Sequence, residues 1–521
     1  MHSRRQFLSR AAAVPFAPLA VGSAYGTDSL TTLALAGESF GRGWEPIDEA
    51  QLHGSDKTPS WTIKYTEGDR DRFDSWLEED DRELIAEHTA SRKAVVKSTS
   101  GDIGVGLLNR MLGNGLQAEP FIESIDLNIE ASYADPVSPT DDSAWESFGW
   151  AERTFGGAGD LEPDAVAFDA DMAETTLEDA RTHTGAIGLG VDTSGLTVAV
   201  IDSGVNDGPM FEDSVGDSRL LPESKDFVTD AEPTLADDSE AVTDENGHGS
   251  WVASCIASSA AEPDQGYCPD ADILALRALD GEGSGSTADI SNAVRYAADQ
   301  GADVLCMSLG SPLWSEDLDS ALEYATDAGT IPVVAVGNDR QMTRWVAAPA
   351  SSSHAIGVAA VTSDPPEEAL SAYFSNIGPH PGTTDHSGGA SNGATPNIAA
   401  PGCKISVPVV TASGRSTDSV LTGTSMAAPC VASGVVGLLI ASEGALEYDD
   451  VVERMETYAA PIPKAAVVEV GAGMAHAENA IAESEPEETQ DEAMTDEATT
   501  RNEAYKQLAN AQGGRVLQYL V

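Results

Sequence analysis

The stretch Gly423-Thr424-Ser425-Met426-Ala427-Ala428-Pro429 decides how the rest of this 521-residue chain is read. A serine set between small residues leads into an apolar run, Val431 to Ile440, that reads as a buried helix. At such a helix start the backbone N–H groups and the macrodipole favour negative charge developing beside the hydroxyl. A serine hydroxyl alone is a weak nucleophile, so chemistry at Ser425 requires a base that is itself oriented by a carboxylate.

Two upstream stretches supply both partners. Val198-Ala199-Val200-Ile201-Asp202-Ser203-Gly204-Val205 is an apolar, β-branched run ending in an acid and a glycine, the pattern by which a buried parallel strand delivers a carboxylate to the C-terminal edge of a sheet. Asn246-Gly247-His248-Gly249-Ser250-Trp251-Val252-Ala253 sets a histidine between glycines where a helix begins. The order is Asp, His, Ser, and serine hydrolases of unrelated fold differ in this order. On these motifs the chain resembles the subtilisin-like serine proteases, the subtilases.

The resemblance implies that Asp202 orients His248, that His248 acts as general base and then acid, and that Ser425 is the nucleophile. It also implies that Val333-Val334-Ala335-Val336-Gly337-Asn338 ends in a side chain that joins the serine N–H in an oxyanion hole. Taken singly, an aspartate after a strand is a turn former and a histidine before a helix is a cap. Four such residues in one order, each with its own glycines, point to a shared cause. The chain departs from many relatives at Trp251 and Cys430, where they carry histidine, at Ser254, where they carry glycine, and at Asn206-Asp207-Gly208-Pro209 after the aspartate. These positions bear on packing behind the site and on nearby pockets.

Strand-like Ala271 to Leu276, the glycine-serine loop Gly281 to Ser286, helix-like Thr287 to Gln300 and strand-like Val304 to Ser308 repeat a strand, loop and helix unit. The expected fold is α/β, a parallel sheet with helices on both faces, preceded by a small α+β unit. By resemblance, Ser284 and Gly285 form an edge on which an extended peptide pairs as an added strand. Ser308, Leu309 and Gly310 form the other wall of the cleft, and Ala347 in Ala347-Ala348-Pro349 its floor. Small residues there suit a large apolar or aromatic side chain, so the expected partners are protein or peptide substrates.

Five segments are expected. Residues 1–36 carry Ser3-Arg4-Arg5-Gln6-Phe7-Leu8 and an apolar stretch to Ala24, read as a twin-arginine export signal cleaved after Ala24 or near Ala34-Leu35-Ala36; the mature protein is then extracellular. No later segment reads as a membrane span. Residues 37–134 show a strand (Trp61 to Tyr65), an acidic amphipathic helix (Arg70 to His88) and further strands (Lys93 to Val96, Phe121 to Glu130). This resembles the inhibitory propeptide of the subtilases, with Ala131-Ser132-Tyr133 as a self-cleavage point; an accessory domain is the other reading. Residues 135–172 read as an acidic linker, 173–482 as the catalytic domain and 483–521 as a tail whose Glu483 to Thr500 part holds eight acids, no base, and is expected to be solvated.

Lys and Arg number 28 against 86 Asp and Glu, a net charge of −58, which excludes nucleic-acid binding by phosphate neutralisation. Acids recur along the whole length, as on an extreme halophile's surface. The acidic loop Asp226 to Glu245 reads as solvated. Calcium, common in the family, cannot be assigned to residues, and the chemistry requires no cofactor. Of the five cysteines, an odd number that leaves at least one unpaired, Cys306 and Cys430 read as buried hydrophobes, and Cys255 with Cys268 could form a disulfide. A monomer is expected. The competing enzyme reading is an esterase at Gly389-Ala390-Ser391-Asn392-Gly393, which proline-rich flanks disfavour; a non-enzymatic reading is a protease-like binding module.

The charge predicts dependence on molar salt. Dilution to roughly 0.1 M lengthens screening to about 10 Å and lets the carboxylates repel. Circular dichroism and activity on dilution should report unfolding or inactivation; an unchanged melting curve in dilute buffer contradicts the halophilic reading.

Overall fold

A computed structural model describes residues 60–78, 82–89, 91–98, 116, 120–128, 130–133, 174–229, 232–311, 314–338, 340, 346–378, 396–495 and 498. The expected export signal, the linker 135–172, the Gly389 to Gly393 motif and residues 501–521 lie outside the described residues.

The N-terminal unit is built from β1 (Ser60–Tyr65), α1 (Arg70–Leu77), β2 (Glu83–His88), β3 (Lys93–Lys97) and β4 (Ile122–Leu127). Its strands form an antiparallel sheet in the order β2-β3-β1-β4. Phe73 of α1 is fully buried, stacked on Tyr65 at 5.2 Å, in a core that includes Trp61, Ile63 and Val96. The helix expected over Arg70 to His88 ends at Leu77, and residues 83–88 are a strand. The sequence explains the difference: four consecutive acids, Glu78 to Asp81, follow Leu77, and negative charge at a helix C-terminus disfavours its continuation. Beyond β4, β5 (Glu130–Tyr133) leaves this sheet.

The larger unit opens with α2 (Leu177–His183), whose Thr176 and Asp179 form a capping box. There follow β6 (Thr197–Asp202), β7 (Lys225–Asp226), α3 (His248–Ala257), β8 (Asp272–Arg277), β9 (Ser284–Ser286), α4 (Thr287–Asp299), β10 (Val304–Met307), β11 (Leu309–Gly310), α5 (Glu316–Asp327), β12 (Ile331–Ala335), β13 (Ile356–Val361) and β14 (Ile398–Pro401). A hairpin of β15 (Ile405–Val410) and β16 (Ser416–Leu421) precedes α6 (Thr424–Val431). The main sheet is parallel, in the order β14-β13-β12-β10-β6-β8-β7.

Side chains alternate along each strand, so both faces of the sheet are apolar and both are covered. Val198, Val200 and Cys306 pack with α3 and α6 on one face; Ala199, Ile201 and Met307 pack with α4 and α5 on the other. This is the expected fold. The chain leaves β6 toward β8 and returns to β10 on its other flank, so the topological switch lies between β6 and β10. In such sheets the crevice beyond the C-terminal strand ends at this point is where ligands bind.

Several expectations change. The 226–245 loop is not simply solvated: Asp226 and Asp244 are buried, Asp226 paired with Arg277 at 3.2 Å. Within the 483–500 stretch the acids at 483, 485, 487 and 488 are exposed, but Gln490 is buried and stitches the segment to the domain. Its side chain accepts from Ile462 N at 2.7 Å and donates to the carbonyls of Ile462 and Ala465 at 2.9 Å. Among the described residues, the 20-residue helical run Thr424–Glu443 has the length and hydropathy of a span, yet 94% of its apolar 18-residue stretch is buried in the core.

Candidate active site

Asp202 is the last residue of β6 and His248 the first of α3, and the structure brings them together. His248 Nδ1 lies 2.8 and 3.0 Å from the two Asp202 oxygens, with both side chains buried. A carboxylate has no proton to give, so Nδ1 carries the hydrogen and Nε2 keeps the lone pair of a base. The approach depends on glycine. A Cβ on Gly249 would lie 2.1 Å from the Gly204 carbonyl oxygen and 3.0 Å from Asp202 Cβ. Gly247, at φ +95°, turns the chain into the helix.

A second carboxylate, read from the sequence as part of a solvated loop, holds this corner. Asp244 accepts from Gly247 N at 2.7 Å, Asn246 N at 3.1 Å, Ser250 N at 2.8 Å and Ser203 Oγ at 2.9 Å. It satisfies N–H groups at the start of α3 that no helical carbonyl can reach. The signal was an aspartate three residues before Gly247, an Asx turn ahead of a helix. Ser203 N also donates to Asp202 Oδ1 at 2.8 Å, fixing that carboxylate.

Ser425 lies in the first turn of α6 and is fully buried. Residue 429 is proline and has no N–H, so the Ser425 carbonyl cannot receive the usual helical bond from four residues on. Ser308 answers this: its Oγ donates to the Ser425 carbonyl at 2.9 Å, while Ser425 Oγ donates to the Ser308 carbonyl at 3.1 Å. Ser308, expected to line the substrate cleft, fastens the strand end after β10 to the serine. A base acting on Ser425 must compete with that carbonyl for the proton.

Asn338 follows β12 by way of Gly337 at φ +98°. Its Oδ1 accepts from Thr424 N and Thr424 Oγ1, each at 2.9 Å. These donors fix which end of the amide is oxygen and turn Nδ2 toward Gly423. A Cβ on Gly423 would lie 3.0 Å from Asn338 Nδ2 and 3.7 Å from Ser425 N. Gly423 therefore leaves open a space flanked by two N–H donors, the arrangement that stabilises an oxyanion.

The expected cleft residues meet β5. Its Ala131 and Ser132 pair antiparallel with Gly285 and Ser284, and on the other side Ser132 and Tyr133 pair with Gly310 and Leu309. Gly285 is constrained as well, since a Cβ there would lie 2.0 Å from the Ala278 carbonyl. Ala347 sits against the end of this cleft, within 3.3 Å of where Cβ atoms on Gly310 and Gly337 would fall.

All five cysteines are buried thiols. Cys255 approaches Cys430 at 3.8 Å rather than the expected Cys268, whose thiol points to the Ser433 carbonyl at 3.1 Å. Burial raises the pKa values of Cys255, Cys268 and Cys306, leaving protonated, unreactive thiols behind the serine. Among the described residues no three His, Cys, Asp or Glu side chains gather as a metal site.

With this fold and the buried Asp202–His248 pair, the chain belongs to the subtilase family, whose profile matches residues 193–510. Thermitase of Thermoactinomyces vulgaris is 34% identical over 253 residues, 48% of this chain and 76% of thermitase. Halolysin of Haloferax mediterranei is 33% identical over 253 residues, 48% of this chain but 42% of halolysin. A thermophilic serine proteinase of a Bacillus species is 34% identical over 255 residues and is covered over 53% of its length, so this chain spans about half of some relatives. The crystal structure of fervidolysin from Fervidobacterium pennivorans has a TM-score of 0.57 at 20% identity, over 82% of this chain and 61% of that one, a likeness of fold.

The glycine at 423 yields a direct prediction. Its φ of 161° is extended backbone open to any residue, so Gly423→Ala should fold. The added methyl fills the space between the two donors. Turnover should fall by roughly 10²–10³, the cost known in this family for losing one oxyanion donor, with little change in KM. Steady-state kinetics with a peptide substrate check this; wild-type kcat contradicts it.

Proposed function

We propose that this chain is a secreted serine endopeptidase that cleaves peptide bonds through Asp202, His248 and Ser425. The observation that carries the reading is β5. It fills a cleft between β9 and β11 as an antiparallel strand, and its direction runs from Gly310 toward Ser308, the residue that touches the Ser425 hydroxyl. A cleft that takes one extended peptide segment by its backbone takes another, which selects peptides over small esters.

A substrate strand replaces β5 in this reading. Ser425 Oγ attacks the scissile carbonyl carbon as its proton passes to His248 Nε2, and Asp202 stabilises the imidazolium. The carbonyl oxygen becomes an oxyanion held by Ser425 N–H and Asn338 Nδ2. The C–N bond then breaks as His248 returns the proton to the leaving amine, and water repeats the sequence on the acyl-enzyme. Every step uses this chain's own residues.

The N-terminal unit is read as an inhibitory propeptide whose last strand blocks the cleft until it is cut. The −58 charge and the Arg4-Arg5 leader support export of a folded precursor by a twin-arginine route into a saline medium. A monomer with small pocket residues at Gly310 and Ala347 suits a large apolar side chain before the scissile bond.

Maturation tests the reading. Ser425→Ala should accumulate as a folded precursor with the 60–133 unit attached, because removal needs the enzyme's own acylation step. Asn338→Ala should mature slowly. Mass spectrometry of secreted chains, from a host lacking other extracellular proteases, distinguishes the outcomes; wild-type processing of Ser425→Ala contradicts self-cleavage by this serine.

A further inference from the structure

The sheet face opposite α3 and α6 carries α4 and α5, and there the N-terminal unit is held by a cluster that the chemistry does not use. Lys93 on β3 donates from Nζ to Asp317 Oδ1 at 2.5 Å. Arg295 of α4 donates to the same carboxylate and, at 3.1 Å, to the Asp317 carbonyl. Lys93, Asp317 and Arg295 are 6%, 3% and 1% exposed. Burial alone would raise the Asp317 carboxyl; Arg295 and Lys93 more than offset it and hold it well below the usual carboxylate range.

Two further side-chain contacts across this face are of a different kind. His88 Nε2 lies 3.1 Å from Asp299 Oδ2 at an exposed position. Asn128 Oδ1, uncharged, accepts from Thr287 Oγ1 at 3.1 Å and Ala288 N at 2.9 Å at the start of α4. In molar salt, with a Debye length of about 3 Å, an exposed pair is screened while a buried pair is screened far less.

We propose that the buried Lys93–Asp317 pair is the anchor that keeps the N-terminal unit on the enzyme after the connecting chain is cut, and that it holds in the salt this charged chain requires. The proposal rests on reading residues 60–133 as an inhibitory propeptide. Arg295 belongs to the catalytic side, so Asp317 keeps a counter-ion when Lys93 departs. Lys93, a lysine removed from water, is compensated here by Asp317. Losing one partner of a buried, hydrogen-bonded charge pair acts chiefly on the dissociation rate.

The test uses the full chain carrying Ser425→Ala, with a recognition site for a sequence-specific protease placed within residues 135–172. After cutting, release of the N-terminal fragment is followed by size exclusion in 2 M and 4 M KCl. With Lys93 present the fragment should stay bound at both salt concentrations. Lys93→Met should raise the release rate by about a hundredfold, and Asp317→Asn, which disturbs only the catalytic side, should do the same with the catalytic domain still folded by circular dichroism. Retention of the Lys93→Met fragment at the unmutated rate, or loosening by Lys93→Met but not by Asp317→Asn, overturns the anchor and assigns retention to the β5 pairing. Immediate release with Lys93 intact overturns the anchor and the inhibitory reading together.

Discussion

The contact between the start of α3 and the end of β6 governs this molecule. His248 reaches Asp202 because Gly249 lets the helix backbone rest on the Gly204 carbonyl. A side chain there would push the helix away and separate base from carboxylate. Asp244 fixes the same corner from beneath, joining the turn before α3 to Ser203 after β6. On the neighbouring strand end, the missing N–H of Pro429 draws Ser308 onto Ser425. The site is therefore set by backbone groups that need partners, and side chains that carry chemistry follow from where those partners lie.

Several of the scarce cations of this chain work inside it. Arg295 and Arg340 are among its largest fully buried side chains, and Arg340 meets the buried Glu469 just after Asn338. Arg219 is spread over three backbone carbonyls, those of Ala271, Met210 and Ala257. Guanidinium groups suit this use, since their fork of donors satisfies several acceptors at once. Ion pairs buried in this way are screened by salt far less than exposed ones.

Much of this was legible in the sequence. Apolar runs ending in Asp202 and Asn338, and glycines near His248 and Ser425, marked strand ends and helix starts, and the repeated strand, loop and helix units pointed to the parallel sheet with helices on both faces. What was not legible depends on contacts remote in sequence. Ser308 reads as cleft lining, and its bond to the Ser425 carbonyl is foreseen only once Pro429 is seen to strip a bond from Ser425. Asp244 looks like one more surface acid because its four donors come from both sides of the corner. Cys255 faces Cys430, 175 positions away, rather than its near neighbour Cys268. Residues 83–88 extend an acidic helical pattern, and pairing with β3 overrides it. Gln490 sits in an acidic stretch whose composition says nothing of a single buried amide.

The central claim is that Ser425, pressed between Ser308 and the donors near Gly423, is a nucleophile. Labelling the mature protein in molar salt with a fluorophosphonate, followed by peptide mapping, tests it most directly. Only a serine activated by a base should react. The account predicts one phosphonylated residue, Ser425, and loss of labelling in Asp202→Asn at the same pH. A label on Ser391, or no label on folded protein, contradicts it.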